Sequence, residues 1–125
     1  MTIQEALDMA DQLKPNMMIT PVKIRFINEI EGKIWEEIIM QHVHTPGEGV
    51  RPEYNTDTDP GTDLIVPAPY DMVYVYWLIA QIDHMTMEMD QYNNDRLLFE
   101  DAYGNFNDYW TRTRMPIQKV GKFRL

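Results

Sequence analysis

The chain has 125 residues, with 11 Lys and Arg against 20 Asp and Glu, for a net charge of −9. That length makes one domain, able to bury roughly two-thirds of the surface its unfolded chain exposes. The acidic balance argues against ordinary duplex-DNA binding, which draws most of its affinity from neutralising phosphates, and against anchoring on anionic lipid. There is no Cys and no Ser, so disulfides, thiolate metal sites and Ser-based acyl transfer are excluded. No apolar run approaches the ~18 residues of a membrane span. Thr2-Ile3-Gln4-Glu5 after Met1 has neither the basic nor the apolar stretch of a secretory signal.

In chain order, four helical stretches and one long loop are expected, an all-α bundle. Thr2 and Glu5 have capping-box spacing. Ile3, Ala6, Leu7 and Ala10 follow at helical intervals and Pro15 stops the run, which predicts a first helix over 2–13. Thr20-Pro21 reads as an N-cap followed by Pro at the first helical position. From there Phe26, Ile27, Ile30, Ile34, Trp35, Ile38 and Ile39 form one apolar stripe. Glu29, Glu31, Lys33, Glu36 and Glu37 are assigned mostly to the other face. A strand would put Ile38 and Ile39 on opposite faces, so the second helix is placed at 21–44, ending before Pro46-Gly47. Gly32 inside the stripe suggests a close helix–helix approach.

Residues 45–69 have no period and hold Pro46, Pro52, Pro60, Pro67 and Pro69. A loop this long in a small domain is usually functional or disordered. Leu64-Ile65-Val66 either pairs as a short strand or tucks onto the bundle.

Beyond Pro69 the spacing alternates three and four through Val75, Leu78, Ile82, Met85, Met89, Tyr92, Arg96, Phe99, Tyr103, Phe106 and Trp110. That is a seam facing other helices. Residues 69–115 form either one long helix or a helical hairpin. A compact bundle wants the hairpin, with Thr86 preferred as the break over Asn93-Asn94. Pro116 ends the helical part, leaving 1–115 as the bundle domain and 116–125 as a tail. Residues 111–125 carry Arg112, Arg114, Lys119, Lys122 and Arg124 and no acid, so the tail region is +5 and residues 1–110 are −14.

No catalytic constellation emerges. A di-metal bundle needs paired Glu-x-x-His motifs, and none of His42, His44 and His84 has Glu three residues before it. His42 and His44 are read as fraying the end of the second helix, His84 as a surface or interface residue. Asp57, Asp59 and Asp63 are spaced partly like a calcium loop, but the expected ligand, Gly and Glu positions fall on Gly61, Thr62 and Ala68. An acidic turn is the better reading. The aromatics suit packing better than nucleic-acid stacking, which wants a basic groove. Ten Met point to gap-filling or to an oligomer interface. Arg96 either snorkels to solvent or pairs across subunits with an acid such as Glu88 or Asp101. No enzyme activity, cofactor or metal is expected.

Several segments are distinctive as strings: Thr2-Ile3-Gln4-Glu5-Ala6-Leu7, Leu13-Lys14-Pro15-Asn16, Val66-Pro67-Ala68-Pro69-Tyr70-Asp71, Ala80-Gln81-Ile82-Asp83, Asp90-Gln91-Tyr92-Asn93-Asn94 and Tyr109-Trp110-Thr111-Arg112-Thr113-Arg114-Met115-Pro116. Together they resemble the head-to-tail connector, or adaptor, proteins of tailed bacteriophages and prophages of Gram-positive bacteria. The resemblance covers most of the chain apart from 45–63. It implies an all-α virion protein of the neck, assembled in the host bacterial cytoplasm, forming a ring, typically dodecameric, beneath the portal. Such a ring continues the channel through which double-stranded DNA is ejected, without gripping it. Its implied partners are the portal protein, further copies of itself and a downstream neck or tail protein, with no membrane. Carried onto this chain, the portal-docking segment is Pro116, Ile117, Lys119, Val120, Lys122, Phe123, Arg124 and Leu125. The seam residues Met85, Met89, Tyr92, Arg96, Phe99, Tyr103 and Trp110 are expected to pack between subunits. The alternative is an acidic interaction protein, such as a DNA mimic inhibiting a nucleic-acid enzyme, an imitation the +5 tail would weaken.

Overall fold

The computed structural model describes residues 1–42 and 51–114. Within them the chain is all-α: α1 (Ile3–Leu13), α2 (Thr20–Glu37), a 3₁₀ turn (Ile39–Gln41), α3 (Met72–Met85) and α4 (Met89–Thr113).

Helix α1 starts as its sequence dictates. Thr2 Oγ1 accepts the Glu5 N–H at 3.1 Å, and Glu5 Oε1 accepts the Thr2 N–H at 3.0 Å. Two further N–H groups of the first turn find loop carbonyls, Ile3 on Thr62 at 3.1 Å and Gln4 on Pro60 at 3.0 Å. The far loop therefore satisfies donors the helix cannot satisfy itself. Leu64-Ile65-Val66 forms no strand and tucks onto the bundle, beside a lone antiparallel bridge between Thr2 and Asp63.

Helix α2 departs from expectation at both ends. Its N-cap is Ile19, without a side-chain bond, and Thr20 is already helical. It stops at Glu37 rather than 44, and the backbone tightens into the 3₁₀ turn, which keeps both Ile38 and Ile39 in the core. His42 is buried at the end of that turn, its Nδ1 2.8 Å from Ile38 O. It caps the element instead of fraying it; His44 lies outside the described residues. The predicted helix approach at Gly32 is also corrected. A side chain there would meet the Arg51 guanidinium, not a helix.

Helix α3 is the centre of the bundle and packs against α1, α2 and α4. Its sequence is apolar nearly all round, as an enclosed helix requires. Val73, Tyr74, Val75, Leu78, Ala80 and Ile82 are buried. Phe99, Phe106 and Trp110 of α4 close the core from one side, with the α1 and α2 stripes and Tyr54, Leu64 and Val66 on the others.

The 69–115 stretch is a hairpin, and it breaks at Thr86. The Glu88 N–H reaches Asp83 O at 2.9 Å and the Met87 N–H reaches His84 O at 3.2 Å. That pair of bonds defines a Schellman ending, whose linking residue must be left-handed. Met87 fills that position, at φ 64°. An L-residue there costs roughly 1–2 kcal/mol relative to the right-handed form. Met87→Gly is therefore expected to raise stability by about 0.5–1 kcal/mol, after the entropy glycine adds to the unfolded chain. Met87→Val should lower it. Urea unfolding of the two variants is the check.

Candidate functional site

The bundle's most unusual polar feature lies in its core. Glu31, assigned by its charge to the outer face of α2, is fully buried. Tyr74 of α3 donates its hydroxyl to Oε1. Tyr54 donates its hydroxyl to Oε2 at 2.9 Å, and the Ile65 N–H donates to the same oxygen at 3.0 Å. Tyr74 Oη in turn accepts the Val66 N–H at 2.8 Å. Burial pushes the Glu31 carboxyl up, and the Tyr74, Ile65 and Tyr54 bonds pull it back. Both tyrosines are pushed well up, by burial first and then by the Glu31 charge. Asn28 extends the knot, donating to Tyr54 O at 2.7 Å and accepting the Tyr54 N–H at 2.8 Å. All three donors come from α3 and the loop, so this carboxylate holds the loop against the bundle.

The surface also carries exposed large apolar side chains. Met85, Met87 and Met89 stand exposed at the hairpin tip, Met87 at 78%. Leu13 is exposed at the end of α1, next to Lys14, which reaches Asp83 and Glu88 of the tip. On α4, Leu97 and Leu98 are exposed at 66% and 48%, and Met17 and Ile19 are exposed in the connection before α2.

The seven residues expected between subunits do not form one continuous seam. Met85 and Met89 flank the turn and are exposed; Tyr92 is half-buried. Arg96 is exposed and pairs within its own helix, with Glu100 Oε1 at 2.8 Å and Tyr92 Oη at 3.0 Å. Phe99 and Trp110 are taken up in the chain's own core, where Phe99 packs on Trp77 and Trp110 on Phe106. Tyr103 is half-buried and donates its hydroxyl to Glu37. That bond is the main reason the Glu37 carboxyl lies below its ordinary value. The eight portal-docking residues from Pro116 to Leu125 lie outside the described residues. Sequence reading missed Leu97 and Leu98, which sit off the three-four seam. Leu98 lines a shallow pocket with Tyr70, Met72 and Tyr76.

A cavity of about 500 Å³ opens where the 3₁₀ turn, the loop and the end of α4 meet. Trp35, Ile39, Tyr54, Ile65, Tyr109 and Trp110 line it, and the Arg114 guanidinium lies 3.3 Å from the Trp110 ring centroid. Arg114 is the last described residue. Among the described residues, no group of three His, Asp or Glu side chains converges as a metal site would need. No helix is long and apolar enough to cross a membrane among the described residues.

No family model, curated protein or solved structure matches the chain.

The Glu31 knot sets the integrity of the surfaces around it. Glu31→Gln places an amide N–H₂ against converging donors and is expected to cost about 2–4 kcal/mol. Tyr54→Phe leaves one bond unmade and should cost about 1–3 kcal/mol. Chemical denaturation measures both, and equal stabilities would contradict the knot.

Proposed function

We propose that the chain is a structural subunit, a helical head-to-tail connector that self-associates into a ring beneath a portal. The observation that carries the reading is the apolar surface the monomer leaves uncovered, with Met85, Met87 and Met89 at the tip and Leu97 and Leu98 on α4. Five large apolar side chains around one hairpin are more than scattered surface residues explain, and such groups mark interaction sites. Methionine suits an interface whose partner surface must be accommodated. The subunit contact uses Met85, Met89, Tyr92 and Arg96 from the seam together with Leu97 and Leu98. Arg96, stacked 5.9 Å from the Tyr92 ring centroid, is placed to exchange its Glu100 partner for a neighbour's acid.

Two charge arguments support the same reading. A −14 body repels phosphate, which suits a channel that DNA slides through without being held. A basic-apolar segment at 116–125 suits docking onto an acidic, partly apolar portal surface. The sequence resemblance to phage adaptors agrees with both.

Light scattering with negative-stain imaging, alone and after co-expression with the portal protein of its own gene cluster, tests the assignment. A ring in either condition is the expected result; a monomer in both overturns it. Leu97→Glu with Leu98→Glu should shift the assembly to monomer while helical circular dichroism is unchanged. Deleting residues 116–125 should abolish co-assembly with the portal and leave the fold intact.

A further inference from the structure

The cavity of about 500 Å³ beside the end of α4 is lined largely by aromatic and aliphatic side chains. Its walls are held from behind. Tyr109 stacks on Tyr70 at 4.7 Å between centroids, Trp110 packs on Phe106 at 5.7 Å, and Tyr54 gives its hydroxyl to Glu31 at 2.9 Å. Side chains fixed in this way keep the space open. A preformed concavity of this size and lining is the kind that takes an occupant.

The chain leaves the described residues at the mouth of this cavity. Arg114 is one of its lining residues, and the guanidinium lies 3.3 Å from the Trp110 ring centroid, a contact that holds a cation on an aromatic face. Residues 115–125, which lie outside the described residues, therefore begin beside the opening. They place Ile117, Val120 and Phe123 three apart, carry Lys119, Lys122 and Arg124, and hold no Asp or Glu. An extended chain spans at most about 30 Å from Arg114 to Phe123, so reach does not limit them. Charge matches as well. Asp63 lines the cavity and Glu53 lies between its lining residues Pro52 and Tyr54. Both acids are exposed, and neither has an ion pair among the described residues. Residues 43–50 supply no Lys, Arg, Phe, Tyr or Trp and match neither the walls nor the acids.

We propose that this cavity is the seat of the chain's own C-terminal segment, with Ile117, Val120 and Phe123 against the aromatic walls and Lys119 and Lys122 towards Asp63 and Glu53. Tethering makes modest contacts sufficient, because a segment on a short linker meets its site at an effective concentration of order millimolar. The fixed walls lower the ordering cost further. Seated, the segment covers its own apolar side chains and the cavity together. Any partner that binds the segment has to outbid the cavity for it, so the seat sets a threshold for that partner. The seat itself is a property of the chain alone; under the connector reading above, the portal is the competitor.

The chain has no Cys, so Arg124→Cys gives a single thiol for a nitroxide label. In NMR spectra of the full chain the label is expected to erase the indole N–H signals of Trp35 and Trp110. It should spare the methyl signal of Met89, about 37 Å from Arg114 along α4. Ile117→Asp, Val120→Asp and Phe123→Asp introduced together should return both indole signals, since carboxylates are costly against apolar walls and are repelled by Asp63. Isotope-labelled chain mixed with spin-labelled chain should keep both signals. Equal broadening with and without the three substitutions overturns the seat. Loss of the signals in the mixture also overturns it, and assigns the cavity to a second copy. If the triple variant does not fold, Phe123→Asp alone makes the comparison. No portal enters the experiment, so the seat can fail while ring assembly stands, and the reverse.

Discussion

A carboxylate is placed where the chain has least water to offer it. Taking such a group out of solvent costs several kcal/mol even after relaxation, and the cost is recovered only when its oxygens are well bonded. Glu31 meets that condition with donors from three places: Tyr74 on α3, Tyr54 at one end of the loop and the Ile65 N–H near the other. The constraint is geometric as well as energetic. Apolar packing tolerates a loop sliding along a bundle, whereas three donors on two oxygens admit one register. With Tyr54 and Ile65 held, the carbonyls of Pro60 and Thr62 fall over the first turn of α1 and complete its hydrogen bonding. One buried acid thus links α2, α3, the loop and, through the loop, α1.

That arrangement explains a choice of residues that composition alone leaves odd. The segment from 51 to 66 holds Pro52, Pro60, Gly61 and three Asp and buries only Tyr54, Leu64 and Val66. Three apolar side chains are a weak hold for a loop of that length, since each ordered residue gives up about 1–2 kcal/mol of backbone entropy. Bonds to a charged acceptor are stronger than neutral ones and make up part of the difference. The tyrosines are suited to the task because one side chain supplies both apolar area and a hydroxyl donor.

Helical period made most of the core legible in advance. Ile3, Ala6, Leu7 and Ala10 on α1, and Phe26, Ile27, Ile30, Ile34, Ile38 and Ile39 from α2 into the 3₁₀ turn, are all buried. Charge misled where it was read before position. Glu31 lies four residues after Ile27 and three before Ile34, on the apolar stripe itself, yet its type assigned it outward. Asp83, one residue after Ile82, is also a buried acid. In both, the partner that makes burial tolerable comes from a distant segment: Tyr54 and Tyr74 for one, Lys14 for the other. Periodicity sees only the element it runs along, so it could not supply them. The exposed apolar surface was legible for the same reason only in part. Met85 and Met89 stood out by residue type, but the division of the seam into buried Phe99 and Trp110 and exposed Arg96 depends on how α4 rotates against α3.

The hairpin shows why such a pattern runs unbroken through a turn. A three-four alternation predicts one face only while the helix axis continues. Here the axis reverses within the three residues Thr86, Met87 and Glu88, at a left-handed Met87 with no glycine to announce it. Leu78 and Ile82 before the turn and Phe99 and Phe106 after it are buried because two antiparallel helices present facing stripes to one core. Met85 and Met89 keep the alternation but sit where the core ends, so they extend the pattern into solvent. A repeat maintained where packing no longer requires it is difficult to account for by the monomer's stability. A second surface meeting the tip, as in the proposed ring, would account for it.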